Sequence, residues 1–214
     1  MNWIKRNGRL KDFAFVNAYS LGAGTRPDNE IRYVEISNVD SNGVISEEAI
    51  ETIRFEDAPS RARRIVTENS TIISSVRPNL QAMAYFGVVD SNLVCSTGFN
   101  VVTPRYGFLS GRYLYYLLRS NEAHQYFIAR AKGVGYPAVD EKDFVSLPVK
   151  FPGLEEQKRI CQYLDSTSSV IHEVIRMKQL DRDNTILEQY KISLIHECVT
   201  GKRRITEADL RLVA

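Results

Sequence analysis

Leu154-Glu155-Glu156-Gln157-Lys158-Arg159-Ile160 opens, and His196-Glu197-Cys198-Val199-Thr200-Gly201-Lys202 closes, the stretch whose reading decides the fold of this chain. Neither proline nor glycine falls between Leu154 and Val199, so nothing in the composition breaks a helix there. Glu155 and Glu156 sit where the positive end of a helix begins, and Gly201 with Lys202 supplies a stop signal and a cation at the other end. The pattern predicts one long helix, roughly 70 Å from end to end at 1.5 Å per residue, about twice the width of a small domain.

A helix of that length needs a second surface to cover its apolar residues. Ile160, Leu164, Thr167, Ile171 and Val174 recur at alternating steps of four and three, which is coiled-coil spacing. Leu187, Tyr190, Leu194 and Cys198 repeat those steps, but at about 100° per residue their stripe falls on roughly the opposite side of the wheel. Lys178, Asp181, Arg182, Asp183 and Asn184 occupy the changeover. Either the helix breaks there, or each half faces a different neighbour. Burying a Leu or Ile is worth about 1.5 to 3 kcal/mol, so four such residues outweigh the surface ion pairs the helix can form.

Outward from the helix, 214 residues leave room for one domain of about 150 residues. Residues 1–153 mix short strand and helix signals, so the expected class is α+β. Tyr33 to Ile36 alternates like a strand, Asp40-Ser41-Asn42-Gly43 is a turn, and Thr71 to Val76, Met83 to Val89 and Phe99 to Val102 read as further strands. Ser110 caps a helix expected from Gly111 to about Ala131. Leu21 to Pro27 and Gly133-Val134-Gly135-Tyr136-Pro137 are loops, Phe144 to Val149 is a last strand, and Pro152-Gly153 marks the boundary. Residues 202–214 form a short tail, in which Thr206-Glu207-Ala208-Asp209 caps one more helical turn.

No apolar run approaches a membrane span, and Met1 to Arg6 lacks the apolar core of a signal peptide, so the expected location is cytoplasmic with no membrane partner. Cys95, Cys161 and Cys198 are odd in number and widely spaced, which fits reduced core residues rather than disulfides or a zinc site. His124, His172 and His196 read as helix-surface residues. The net charge is only +2, but its distribution is uneven. Acids dominate from Asp28 to Asp57, whereas Arg61, Arg63, Arg64, Arg77, Arg105, Arg112, Arg119, Arg130 and Lys132 dominate from 61 to 132. An arginine-rich patch of this size suits a phosphate backbone met over a limited footprint.

Catalytic signatures are weak. Gly201-Lys202-Arg203 lacks the hydroxyl of a phosphate-binding loop, and neither Gly22-Ala23-Gly24 nor Gly133-Val134-Gly135 has a third glycine. Asp143 with Glu156-Gln157-Lys158 resembles the carboxylate and lysine set of metal-dependent nucleases. Such a set places Glu and Lys on one face of a strand, whereas on a helix these two lie about 200° apart. No catalytic and no metal-binding residue is assigned.

Leu147-Pro148-Val149-Lys150-Phe151-Pro152-Gly153 running into the Leu154 helix, with Val199-Thr200-Gly201-Lys202 beyond it, resembles the conserved region of Type I restriction-modification specificity subunits. Gly133 to Val139 resembles the loop before that region, and Val76-Arg77-Pro78 and Ser96-Thr97-Gly98-Phe99 resemble segments inside the family's target recognition domains. The resemblance implies one globular mixed α/β target recognition domain at 1–153, followed at 154–201 by a long coiled-coil-type helix for dimerisation, spacing and subunit docking. It implies a non-catalytic chain that binds double-stranded DNA and directs adenine methylation and cleavage by partner modification and restriction subunits. S-adenosylmethionine, ATP and Mg are expected only in those partners.

With one recognition domain and one helical region, the chain resembles a half-length subunit. A homodimer is then expected through Ile160, Leu164, Ile171, Val174, Leu187, Tyr190 and Leu194, reading a gapped inverted repeat. The expected DNA contacts are Arg61, Arg63, Arg64, Arg77, Asn79, Arg105, Lys132 and Tyr136, because arginine reads guanine, asparagine reads adenine, and all lie in loops or at their edges. The competing reading is a truncated interaction protein that pairs through its helix without reading DNA, with a nuclease third.

Overall fold

A computed structural model describes residues 6–40, 42–178 and 181–213. In chain order the elements are β1 (Arg6–Arg9), α1 (Leu10–Phe13), β2 (Ala14–Val16), β3 (Glu30–Val34), β4 (Glu51–Arg54), β5 (Ala62–Ile65), β6 (Ser70–Ser74), β7 (Met83–Phe86), β8 (Leu93–Ser96) and β9 (Phe99–Pro104). Helices α2 (Gly111–Arg119), α3 (Asn121–Ile128) and α4 (Glu141–Phe144) follow, then β10 (Pro148–Phe151), α5 (Leu154–Lys178), α6 (Asp181–Thr200) and α7 (Glu207–Leu212). The mixed α/β globule and the long helix after it, 25 residues in α5, match the expected class.

Two four-stranded sheets form the globule, in the orders β2-β9-β6-β7 and β4-β3-β8-β5. The first is antiparallel throughout, and the second contains the parallel pair β3 and β8. Successive side chains of a strand point to opposite faces, and β6 buries both. Ile72 joins Ala84, Phe99 and Val101 against Val34, Leu93 and Cys95 of the second sheet. Ile73 joins Met83 and Val102 against Leu114, Leu117 and Leu118 of α2. The two adjacent isoleucines of Thr71 to Val76, a stretch that reads as a strand, thus serve one buried face each.

The single helix expected over 154–199 is two helices packed side by side. Ile160 and Leu164 of α5 share one buried cluster with Leu194, Ile195, Cys198 and Val199 of α6, although a straight helix would hold Ile160 and Cys198 roughly 57 Å apart. Cation and ring meet across the same junction, with the Arg203 guanidinium 5.1 Å from the Tyr163 ring. The chain therefore reverses, and the inner parts of both helices pack on α2. Tyr113 of α2 donates its hydroxyl to the Val199 carbonyl at 3.0 Å, and Arg112 meets Asp165 at 2.6 Å. The reason is burial: each covered Leu or Ile contributes about 1.5 to 3 kcal/mol that a solvated stripe forgoes. Side chains at the changeover, Lys178 and Asp181 to Asn184, lie outside the described residues, as do residues 1–5, Ser41 and the side chain of His172.

Gln157 locks the hairpin to the globule. Fully buried, it accepts from the Ser110 N–H at 2.9 Å and donates to the carbonyls of Phe108 and Pro152, both at 2.9 Å. Cys95, Cys161 and Cys198 are free and buried, and burial pushes each thiol up to about 12.

Other expectations shift. Ser110 does cap α2, accepting from the Tyr113 N–H, but Ser120 ends that helix and caps α3 through the Ala123 N–H, so the run to Ala131 is broken in two. A serine hydroxyl offers the backbone a competing acceptor. Phe144 to Val149 is not one strand: Phe144 closes α4, stacked on Phe127 at 4.8 Å, and β10 begins at Pro148, paired with β1. His124 and His196 are half-buried rather than on the surface. The final turn forms as α7 under a Thr206–Asp209 capping box.

Candidate nucleic-acid interface

One end of the globule collects loops. Lys132 and Ala138 exchange both backbone hydrogen bonds at 2.9 Å, closing a five-residue loop that Gly133 enters at φ +107°. That conformation favours glycine. Beside it, the Arg77 N–H donates to the Pro137 carbonyl at 2.7 Å and the Val139 N–H to the Ser75 carbonyl at 2.9 Å, so the turn after β6 and the 133–137 loop form one unit. Pro78–Leu80 make a short 3-10 turn flanked by Arg77 and Gln81, both left-handed, at φ 49° and 51°.

Four of the eight expected DNA contacts meet here. The Arg77 guanidinium lies 4.2 Å from the centroid of the Tyr136 ring, which is 72% exposed. Asn79 is exposed on the turn, and Lys132 stands at the loop's base, held by Asp140 at 2.6 Å and Asp143 at 3.5 Å. Those acids raise the Lys132 ammonium above its ordinary range, chiefly through the hydrogen bond that Lys132 donates to Asp140. Leu80 and Val134 also belong to this surface, 50% and 103% exposed. The sequence reading missed them, although an apolar residue between Gly133 and Gly135 is a legible sign of one held outside the core.

The other four lie elsewhere. Arg61 is near the same end, since its carbonyl accepts from the Thr97 N–H beside Gly98, but its side chain is drawn to Glu35 at 3.0 Å. Arg63 lies over the Phe55 ring at 4.6 Å on the second sheet, and Arg64 beside it is half-buried, with its Nε out of solvent. Arg105 stacks on Phe15 at 4.1 Å at the far end of β9, roughly 20 Å along the strand from Gly98. Of the remaining basic run, Arg112 and Arg119 turn toward packing, with Arg119 only 5% exposed.

The expected interface residues also separate. Ile160, Leu164, Ile171 and Leu194 are buried within this chain, so they are not an open seam. Val174 and Leu187 are half-buried, and Tyr190 is 50% exposed. Farther from the core, Val170 and Ile186 are 58% and 64% exposed. In the nuclease-like set, Asp143 holds Lys132, Glu156 lies 3.6 Å from Arg159, and Gln157 is consumed in packing. Among the described residues no group of three or more His, Cys, Asp or Glu is placed to hold a metal, and no helix is long and apolar enough to cross a membrane.

This α/β fold has counterparts among known proteins. Residues 7–182 match the family described as the Type I restriction modification DNA specificity domain, and the chain belongs to this family. A curated relative, the Type I restriction enzyme HindI specificity subunit of Haemophilus influenzae, is 28% identical over 161 residues, 73% of this chain and 32% of the relative. The HsdS subunit from Thermoanaerobacter tengcongensis is similar at a TM-score of 0.70 and 29% identity, over 85% of this chain and 46% of that one. A structure solved to explain complex assembly and conformational transition of the type I R-M system gives a TM-score of 0.71 with the same identity and coverage. This chain thus spans about a third of the curated relative and under half of the solved chains.

Proposed function

We propose that this chain is the non-catalytic, sequence-reading unit of a Type I restriction-modification complex, binding one half of a bipartite double-stranded DNA site through the Arg77 and Tyr136 loop end. Partner modification subunits dock on the helical hairpin and methylate adenine, and restriction subunits cut; S-adenosylmethionine, ATP and Mg belong to those partners. The reading is supported by the gathering of Arg77, Asn79, Lys132 and Tyr136 at one loop end of a member of this family. Sequence comes from base edges and register from phosphates, and this surface offers side chains suited to both. Selection of bound duplexes from a random pool, with the modification subunit present, should enrich one motif. An unenriched pool would reject the reading in favour of a pairing protein that does not read DNA.

The unit works as a pair with a second copy, joined through the outer part of the hairpin. Support comes from Val170, Ile186 and Tyr190, which stay exposed although the hairpin base is covered by its own core. Light scattering coupled to sizing at micromolar concentration should give the mass of a dimer, and a monomer both alone and with the modification subunit would remove this part.

A further inference from the structure

Resting on the reading of the chain as a half-site reader, we propose that Arg77 reads a guanine in the major groove, with Tyr136 as the positioning residue that holds its guanidinium. Guanine presents two acceptors, O6 and N7, at the spacing of the guanidinium fork, and a fork held flat loses less freedom when it binds. Tyr136 supplies that restraint, its ring centroid lying 4.2 Å from the central carbon of the guanidinium.

Charge pairing removes several members of the basic run; of Arg63, Arg64, Arg77, Arg105 and Arg130, which meet no acid among the described residues, Arg77 is the one built into the unit of the 75–77 turn and the 133–137 loop. Arg61 meets Glu35 at 3.0 Å, Arg112 meets Asp165 at 2.6 Å, and Lys132 meets Asp140 at 2.6 Å. Among the described residues no carboxylate lies within 4 Å of the Arg77 guanidinium, whose one hydrogen bond reaches the Gly135 carbonyl at 3.4 Å. Arg105 is stacked as well, but it is half-buried against Phe15 and donates to the Lys11 carbonyl.

Backbone geometry points the same way. Arg77 takes a left-handed conformation at φ 49°, ψ 59°, unfavourable for a side chain with a Cβ. It is held there by the bond to Pro137 and by the pairing of Val76 with Ala138. The neighbouring residues suit a groove: Asn79 carries the amide that pairs with adenine, and Leu80 and Val134 offer apolar surface to a thymine methyl.

The test uses the full chain with its modification subunit and the duplex motif selected by the wild type. Each guanine of the motif is replaced in turn by 7-deazaguanine, which lacks the N7 acceptor. One position should weaken wild-type binding roughly 5- to 150-fold. Arg77→Ala should bind the normal motif more weakly, be indifferent to that replacement, and tolerate any base at that position alone. Tyr136→Phe should retain the discrimination and Tyr136→Leu should relax it, a contrast that loss of folding would not produce. If Arg77→Ala weakens all sequences equally and lowers the salt dependence by about one charge, Arg77 contacts phosphate and the proposal fails while the half-site reading stands. A motif in which no guanine responds overturns it as well. If the wild type selects no motif, both fall together.

Discussion

The base of the hairpin and the loop end of the globule solve opposite problems with the same backbone. At the base, Ile160, Leu164, Leu194, Cys198 and Val199 are buried among Tyr113, Leu114 and Leu118, and Gln157 spends every polar atom of its amide on the protein. At the loop end, Arg77, Leu80, Val134 and Tyr136 face solvent, and shape is kept by main-chain hydrogen bonds among residues 75–77, 132 and 137–139. Stability resides where side chains are covered. The proposed recognition falls where main-chain hydrogen bonds hold much of the form and several side chains stay exposed.

If that division is right, variants at the two ends separate cleanly. Leu164→Ala should be the most costly, about 2 to 5 kcal/mol, because a fully packed site cannot close around the missing atoms. Urea unfolding would measure it, and base preference of the folded fraction should not change. Gln157→Ala should cost about 1 to 3 kcal/mol by leaving the Ser110 N–H and the Phe108 and Pro152 carbonyls short of a partner. A loss under about 0.5 kcal/mol in either case would show that the base is not where stability lies.

His124 tests the junction between the two regions, since it lines the contact of α3 with Pro78 and Gln81. Burial lowers its pKa from the ordinary 6.5, which favours the neutral imidazole in the folded chain. Its contribution to stability is whole above 6.5 and is lost as pH falls through the folded value. Wild type should lose stability on acidification more steeply than His124→Gln, by less than either change at the base, in melts from pH 7.5 to 5. Smallest of all, Ile186→Lys should leave stability within about 0.5 kcal/mol, yet abolish the dimer mass in light scattering if the outer hairpin carries the pairing.

Much of the local order was legible. Ser110, the Gly133 to Pro137 loop, the doubly buried β6 and the Thr206 cap each announce themselves through short-range chemistry. Strands β4, β5 and β8, four residues apiece, went unread because no period develops over so short a run. Ser120 went unread as a boundary because the Tyr113 to Phe127 pattern carries apolar residues across it. At the candidate site, the basic run of 61 to 132 was visible, but which of its members stay available was not. Glu35 is 26 residues from Arg61, and Asp165 is 53 from Arg112.

The amino-acid order carried the resemblance to the family in its motifs; by itself it also determined the α+β class, the helical character of 154–178 and 181–200 and the loop that carries Tyr136, because capping, periodicity and glycine placement act over a few residues. Only the tertiary structure decided that the helical stretch folds back on α2, and that Arg77 lies on Tyr136 while Arg61 is drawn to an acid. Periodicity says which face of a helix is apolar but not what will cover it, and a charge pattern says nothing of which opposite charge the fold brings within 4 Å.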